Sequence, residues 1–218
     1  MANSSPIRVM RTFTELDVGL SVRKPVQVVS HVHGSHRPRA VGIGELDHPG
    51  AHWGPVRYVP SQDDHTPAHD HQFCEVTFIR KGCAVHRGVQ HELPVTRSMV
   101  IVVPQGVAQR YTELESLAYT NLQYLSEWLV DDLKMWWSEQ GLVPLFLAGA
   151  LFGRQLIQDS PVFTLTDFES QQVDRELADL AQELQRGHPS LIYLRGTLLK
   201  LFTYLARSYV RNRPSHHH

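Results

Sequence analysis

Residues 65–82 read HTPAHDHQFCEVTFIRKG. The alternation in this stretch decides the fold class. Successive side chains of a strand point to opposite faces, so His69, His71, Phe73, Glu75, Thr77 and Ile79 are predicted to share one face. Cys74 falls on the other face and is expected to be a small buried hydrophobe. Two imidazoles and a carboxylate on one surface are the ingredients of a facial divalent-metal site with open positions. Histidine is abundant, fourteen in 218 residues, so the spacing alone does not separate a metal site from a chance cluster. The alternative is a pocket whose polar groups bond one another or a small ligand.

Outward from this stretch, short β-branched and aromatic runs alternate with Gly, Pro, Asn and Asp. The segments 25–32, 56–60, 74–82, 83–89, 98–104, 108–113 and 118–125 all read as strands, a pattern of sandwiches and barrels. Arg-Lys-Gly at 80–82 reads as a hairpin, with Gly82 at a turn position needing positive φ. Near residue 125 the period becomes helical. The segment 126–141 reads as one helix, 143–152 as a short helix or irregular apolar segment, and 161–165 as a returning strand.

A helix pair follows. Thr166 and Glu169 stand at capping-box spacing, and the first helix is expected to end at Gly187. Val173, Leu177, Leu180 and Leu184 form its apolar stripe. Pro189 suits the first turn of the second helix, where Leu191, Leu194, Leu198, Leu201 and Leu205 make a seam of the a/d type. These stripes pack on each other and on the β part, or give part of the seam to a second chain.

Net charge is −1, from 21 basic and 22 acidic residues, which provides no nucleic-acid footprint. Two cysteines imply no disulfide framework and fit a reducing compartment. The N-terminus lacks a signal-peptide core, and no apolar run reaches membrane-spanning length. A cytoplasmic location and no membrane partner are therefore expected. No phosphate cradle or nucleophile elbow is present.

The second half of the site lies in SMVIVVPQGVAQRY, 98–111. His69-x-His71-x3-Glu75-x6-Gly82 resembles the first cupin motif, and Pro104-x-Gly106-x2-Gln109 resembles the second. The family's last position is normally a histidine, the fourth metal ligand, and here it is Gln109. The glycine that opens the second motif is here Ser98. A glutamine oxygen is a weaker ligand than imidazole. The resemblance implies that His69, His71 and Glu75, with Gln109 or water, could hold a divalent transition metal such as Zn, Ni, Fe or Mn.

The ordered combination with Thr120-Asn-Leu-Gln-Tyr124 and the helix pair, over about 60–210, resembles the N-terminal part of AraC/XylS-type transcription regulators, particularly rhamnose-regulon activators. That resemblance implies a mainly β chain with C-terminal α structure: a cupin double-stranded β-helix, or jelly-roll barrel, followed by an antiparallel helix pair. It divides the chain into an arm with leading strands (1–55), a cupin core (56–125), a helix and return segment (126–165), a helical hairpin (166–213) and a tag-like tail (214–218). It further implies a small-molecule effector, often a sugar or related metabolite, and a homodimer through the C-terminal helices. DNA would be contacted only through a C-terminal helix-turn-helix part that this sequence does not contain.

Trp53, Phe73, Thr77, Tyr111, Tyr119 and Asn121 are the candidate ligand-binding residues, and no catalytic residue is assigned. Gln123 shares parity with Tyr119 and Asn121. Trp128, Trp136 and Trp137 are expected to be core residues, and the histidines at 31–36 and His65 to be solvated. The competing reading is a stand-alone metal-dependent cupin enzyme, a dioxygenase or isomerase, which would require a tightly held metal.

Overall fold

The computed structural model describes residues 8–9, 27–28, 39–41, 56–62, 67–129, 133–152 and 160–213. Trp53, His65, the histidines at 31–36, most of the expected strand 25–32 and the tail 214–218 lie outside the described residues. Three short strands precede the main sheet: β1 (Arg8–Val9), β2 (Gln27–Val28) and β3 (Arg39–Val41). β1 pairs antiparallel with β2. β3 pairs in parallel with β5 (His69–His71).

The main sheet contains β4 (Val56–Gln62), β6 (Cys74–Arg87), β7 (Glu92–Thr96), β8 (Met99–Val103), β9 (Arg110–Tyr124) and β10 (Val162–Thr164). Its order is β10-β8-β6-β9-β4, with β7 also paired to β6. Every pairing in it is antiparallel. Pro60 and Pro94 fall on the edge strands β4 and β7, where a missing N–H interrupts no central ladder.

The expected hairpin at 80–82 is instead the middle of one fourteen-residue strand. The register of β6 against β9 shifts between Ile79 and Val85, as at β-bulges. Gly82, at φ +73°, serves that irregularity rather than a turn, and a Cβ there would run into the Glu115 and Ser116 carbonyls. Bulges bend strands. The halves of β6 and β9 consequently contribute to a single apolar cluster, with Ile79 and Tyr119 from one half and Ala84 and Tyr111 from the other, joined by Ile101 of β8 and Val95 of β7.

The opposite face carries the larger core. Val76, Phe78, Val100, Val102, Leu122 and Tyr124 meet the helices there. A 3-10 turn (Ser126–Trp128), α1 (Leu133–Ser138), a π-helical turn (Val143–Leu147) and α2 (Ala148–Phe152) follow β9. The one helix expected over 126–141 is thus a 3-10 turn and a six-residue α-helix among the described residues. Trp128 and Trp136 are core residues as expected, whereas Trp137 is 62% exposed.

The helix pair is α3 (Asp167–Leu184) and α4 (Leu191–Asn212). The capping box forms as expected between Thr166 and Glu169. α3 ends three residues before Gly187, with the Gln185 N–H bonded to the Ala181 carbonyl. α4 is capped by the Ser190 side chain, which accepts from the Tyr193 N–H, so Pro189 precedes the cap instead of entering the first turn. Leu194, Leu198, Leu201 and Leu205 are all buried within this chain. The seam is therefore satisfied internally, by α3 and the sheet. Phe202 lies at the centre, stacked on Phe146 with ring centroids 4.1 Å apart and close to Tyr124 and Trp136. No described helix is long and apolar enough to cross a membrane.

Candidate functional site

The folded-over face of the sheet is not wholly apolar. Glu75, Thr77, His86, Gln109 and Gln123 are buried on it. The strand registers bring them together: Glu75 lies opposite Gln123, and Thr77 opposite Asn121. A single antiparallel bridge joins His69 to Gln109, with N–H···O=C bonds of 3.1 and 2.9 Å. The Gly106 N–H donates to the His71 carbonyl at 2.8 Å, and Gly106 takes the positive φ (+77°) that its turn needs.

Glu75 is 1% exposed, and a buried carboxylate needs donors. It has two: Gln109 Nε2 donates to Oε1 at 2.8 Å, and Gln123 Nε2 donates to Oε2 at 3.0 Å. His71 Nε2 lies 3.3 Å from Gln109 Nε2 and 3.7 Å from Glu75 Oε1. Burial lowers the His71 pKa, opposed by Glu75 and assisted by His69. The neutral ring can thus accept from Gln109, which places its proton on Nδ1. The amide oxygen of Gln109 lies 3.1 Å from His86 Nε2, and His86 Nδ1 lies 3.2 Å from His91 Nε2. Thr77 Oγ1 donates to Asn121 Oδ1 at 2.8 Å. Burial raises the pKa of Tyr111 well above its ordinary value, keeping the phenol protonated beside Tyr119.

His69, His71, Glu75, Thr77, Gln109, Tyr111, Tyr119 and Asn121 therefore occupy one region. Phe73 departs from the predicted alternation. A two-residue bend at 72–73 separates β5 from β6, and Phe73 joins the helix-facing core while stacking on His71 at 4.5 Å. His86 is the residue that parity misses. The irregularity around Gly82 exchanges faces, so that even-numbered Ala84 and His86 point inward where odd-numbered Glu75, Thr77 and Ile79 did before it. The positive-φ glycine is the signal that could have found it.

The metal expected from the cupin resemblance can be tested against these positions. The Gln109 amide nitrogen takes the position of a third donor beside Glu75 Oε1 and His71 Nε2, but it presents N–H groups to them and no lone pair. His69 Nδ1 is turned to the Pro67 carbonyl at 2.7 Å. No three His, Cys, Asp or Glu side chains among the described residues form a group that could hold a metal ion. As arranged, only His71 and Glu75 offer donor atoms to one point, which does not fit a four-ligand metal site. His71, Glu75 and Gln109 form an amide-bridged hydrogen-bond cluster, with His69 turned away from it.

Beside this cluster is an open cleft of about 490 Å3, lined by Arg87, Gly88, His91, Glu92, Gln109 and Arg110 among others. Gln109 and His91 thus belong both to the buried chain of polar contacts and to the cleft wall. The His91 ring folds closely over Gly88, where a Cβ would come within 2.7 Å of it.

No family model matches the sequence, and no curated protein matches it. Its structural neighbours include the AraC-like transcriptional activator CuxR, at 15% identity and TM-score 0.46, over 76% of this chain and 55% of that one. ToxT from Vibrio cholerae aligns at 12% identity and TM-score 0.41, over 72% of this chain and 58% of that one. A cupin-2 domain containing protein from Shewanella frigidimarina NCIMB 400 aligns at 14% identity and TM-score 0.31, over 34% of this chain and 74% of its own. The chain spans little more than half the length of CuxR and ToxT.

Proposed function

We propose that this chain is the effector-sensing and dimerising part of a cytoplasmic transcription regulator, built on a cupin double-stranded β-helix. Its effector is a small molecule of the sugar or related-metabolite class. DNA is met only through a separate helix-turn-helix part, and the partner of the helices is a second copy of the chain. The reading rests on the ordered cupin motifs, the helix pair and one decisive observation. The polar groups of the folded-over face are linked by hydrogen bonds from Gln123 through Glu75 and Gln109 to His86, and Gln109 meets an open cleft. Such a cluster can exchange internal bonds for bonds to a hydroxyl-rich ligand. The enzyme alternative requires a metal at His69, His71 and Glu75, where His69 is turned to the Pro67 carbonyl and Gln109 presents an N–H in place of a donor atom.

Because the leucine seam of α4 is buried in its own chain, a second copy would meet the outward side of the helices, where Ile192 is 88% exposed and Tyr193 46%. Thermal unfolding in the presence of a panel of monosaccharides and their acids tests the sensor. At least one is expected to raise Tm in the native sequence and not in Thr77→Val with Asn121→Leu. Light scattering is expected to give a dimer that Ile192→Glu weakens. A panel without effect and a strict monomer would overturn the reading.

A further inference from the structure

Two arginines lie directly across from each other at the mouth of the cleft. Arg87 on β6 pairs in register with Arg110 on β9, and Glu92 on β7 pairs with Arg87 from the other side. Like charges placed opposite each other on neighbouring strands repel. The chain resolves only half of this. The Arg87 guanidinium is drawn to Glu92 at 2.6 Å and to Glu113 at 3.5 Å, and its Nε donates to Thr112 at 2.9 Å. Arg110 is exposed, and its side chain makes no hydrogen bond or ion pair among the described residues. Glu92, the acidic group named in the cleft wall, is already paired with Arg87. Among the described residues the wall therefore carries one guanidinium without an acidic partner, and His91 and Gln109 line the same cleft.

We propose that the cleft is an anion site: Arg110 recognises the carboxylate or phosphate group of an acidic small molecule, and Gly88, His91 and Gln109 form the adjoining wall. An anion there would offset the Arg87–Arg110 repulsion and meet a planar donor fork suited to two-point binding of either group. The inference rests on the sensor reading for its biological sense, and it narrows the effector from sugars in general to sugar acids or sugar phosphates. It does not depend on that reading for its chemistry.

The test uses the whole chain, labelled with 15N, titrated with inorganic phosphate and separately with acetate, against sodium chloride at matched ionic strength. The Arg110 Nε–H signal and the backbone amides of Gly88 and His91 are expected to move along a saturable curve in the millimolar range. Arg110→Gln should weaken the response of the two amides at least fivefold. Saturation by acetate as well as phosphate assigns a general acidic group, and saturation by phosphate alone assigns a phosphate. Shifts that do not saturate, that chloride reproduces, or that Arg110→Gln leaves unchanged would overturn the proposal. Neutral sugars that perturb Thr77 and Asn121, with no anion response at Arg110, would overturn it while leaving the sensor reading intact. Anion saturation with no sugar of either kind raising Tm would uphold the site and count against the sensor.

Discussion

Gln109 Nε2 donates to Glu75 Oε1 at 2.8 Å, across 34 residues of sequence, and the same nitrogen faces His71 Nε2. One amide group therefore meets one oxygen of a buried carboxylate and one nitrogen of a buried imidazole together. Replacing that amide by imidazole would supply a third nitrogen or oxygen donor aimed at the same point, completing the ingredients of a borderline-metal site. Gln109→His is expected to bind Co(II) at least tenfold more tightly than the native sequence, with visible d–d absorption. Chelator should leave the native Tm unchanged and lower that of the loaded variant. Equal Co(II) affinity in both would show that residue 109 does not stand in a ligand's place.

Removing the amide without replacing it has the opposite consequence. Gln109→Leu takes one donor from Glu75 and one partner each from His71 and His86, leaving buried polar atoms without those bonds. Each unsatisfied group of this kind costs about 1–3 kcal/mol, with the charged one at the upper end. Urea unfolding is expected to show a loss of about 2–4 kcal/mol. Glu75→Leu combined with Gln109→Leu should recover part of it, because neither partner is then left alone. A double variant that only adds the two single losses would contradict the coupling.

The parts of this chain that were legible in its sequence are those governed by unbroken periodicity. Val173, Leu177 and Leu180 fall on the buried face of α3, and the capping box sits where Thr166 and Glu169 place it. Thr77, Tyr119, Asn121 and Gln123 lie where alternation within single strands puts them. Legibility ends where a strand is interrupted. The bend at 72–73 sends Phe73 to the helix side, and the bulged region at Gly82 carries His86 inward. A local irregularity shifts every following side chain by one face, and a glycine in a strand signals such a site without saying which residues it re-aims. The helix seam was legible as apolar but not as to its partner, since a leucine stripe is the same whether it meets a sheet or a second chain.

Ser98 stands where the cupin pattern has glycine, and that difference can be tested. It adopts φ +68° in the turn between β7 and β8, donating its N–H to the Ile79 carbonyl and accepting from the Leu165 N–H. The left-handed region costs a residue with a Cβ about 1–2 kcal/mol. Glycine removes that cost and returns part of it as unfolded-state entropy. Ser98→Gly is therefore expected to stabilise the chain by about 0.5–1 kcal/mol, read as a higher urea midpoint with an unchanged slope. A lower midpoint would mean that the Ser98 side chain makes a stabilising contact of its own.

The tie between α3 and α4 predicts a pH dependence. Glu169 accepts from the Thr166 N–H at 2.7 Å, from Ser208 Oγ at 2.7 Å and from Arg211 Nη2 at 2.6 Å. Partial burial raises its pKa, but the bonds from Thr166 and Ser208 and the charge of Arg211 outweigh it, and the net shift is downward from 4.5. A carboxyl with a folded pKa below its unfolded one stabilises the fold above the unfolded value and loses that stability as pH falls through the folded value. Glu169→Gln should accordingly be less stable than the native chain near neutral pH, by about 1–2 kcal/mol for a cap and its charge-assisted bonds. The difference should shrink as pH drops below about 4.5, the ordinary carboxyl value, because the native chain alone loses a charge there. Unfolding curves at intervals of about one pH unit from 7 to 3 check it. A gap that stays constant across this range would assign the effect to the shape of the side chain and not to its ionisation.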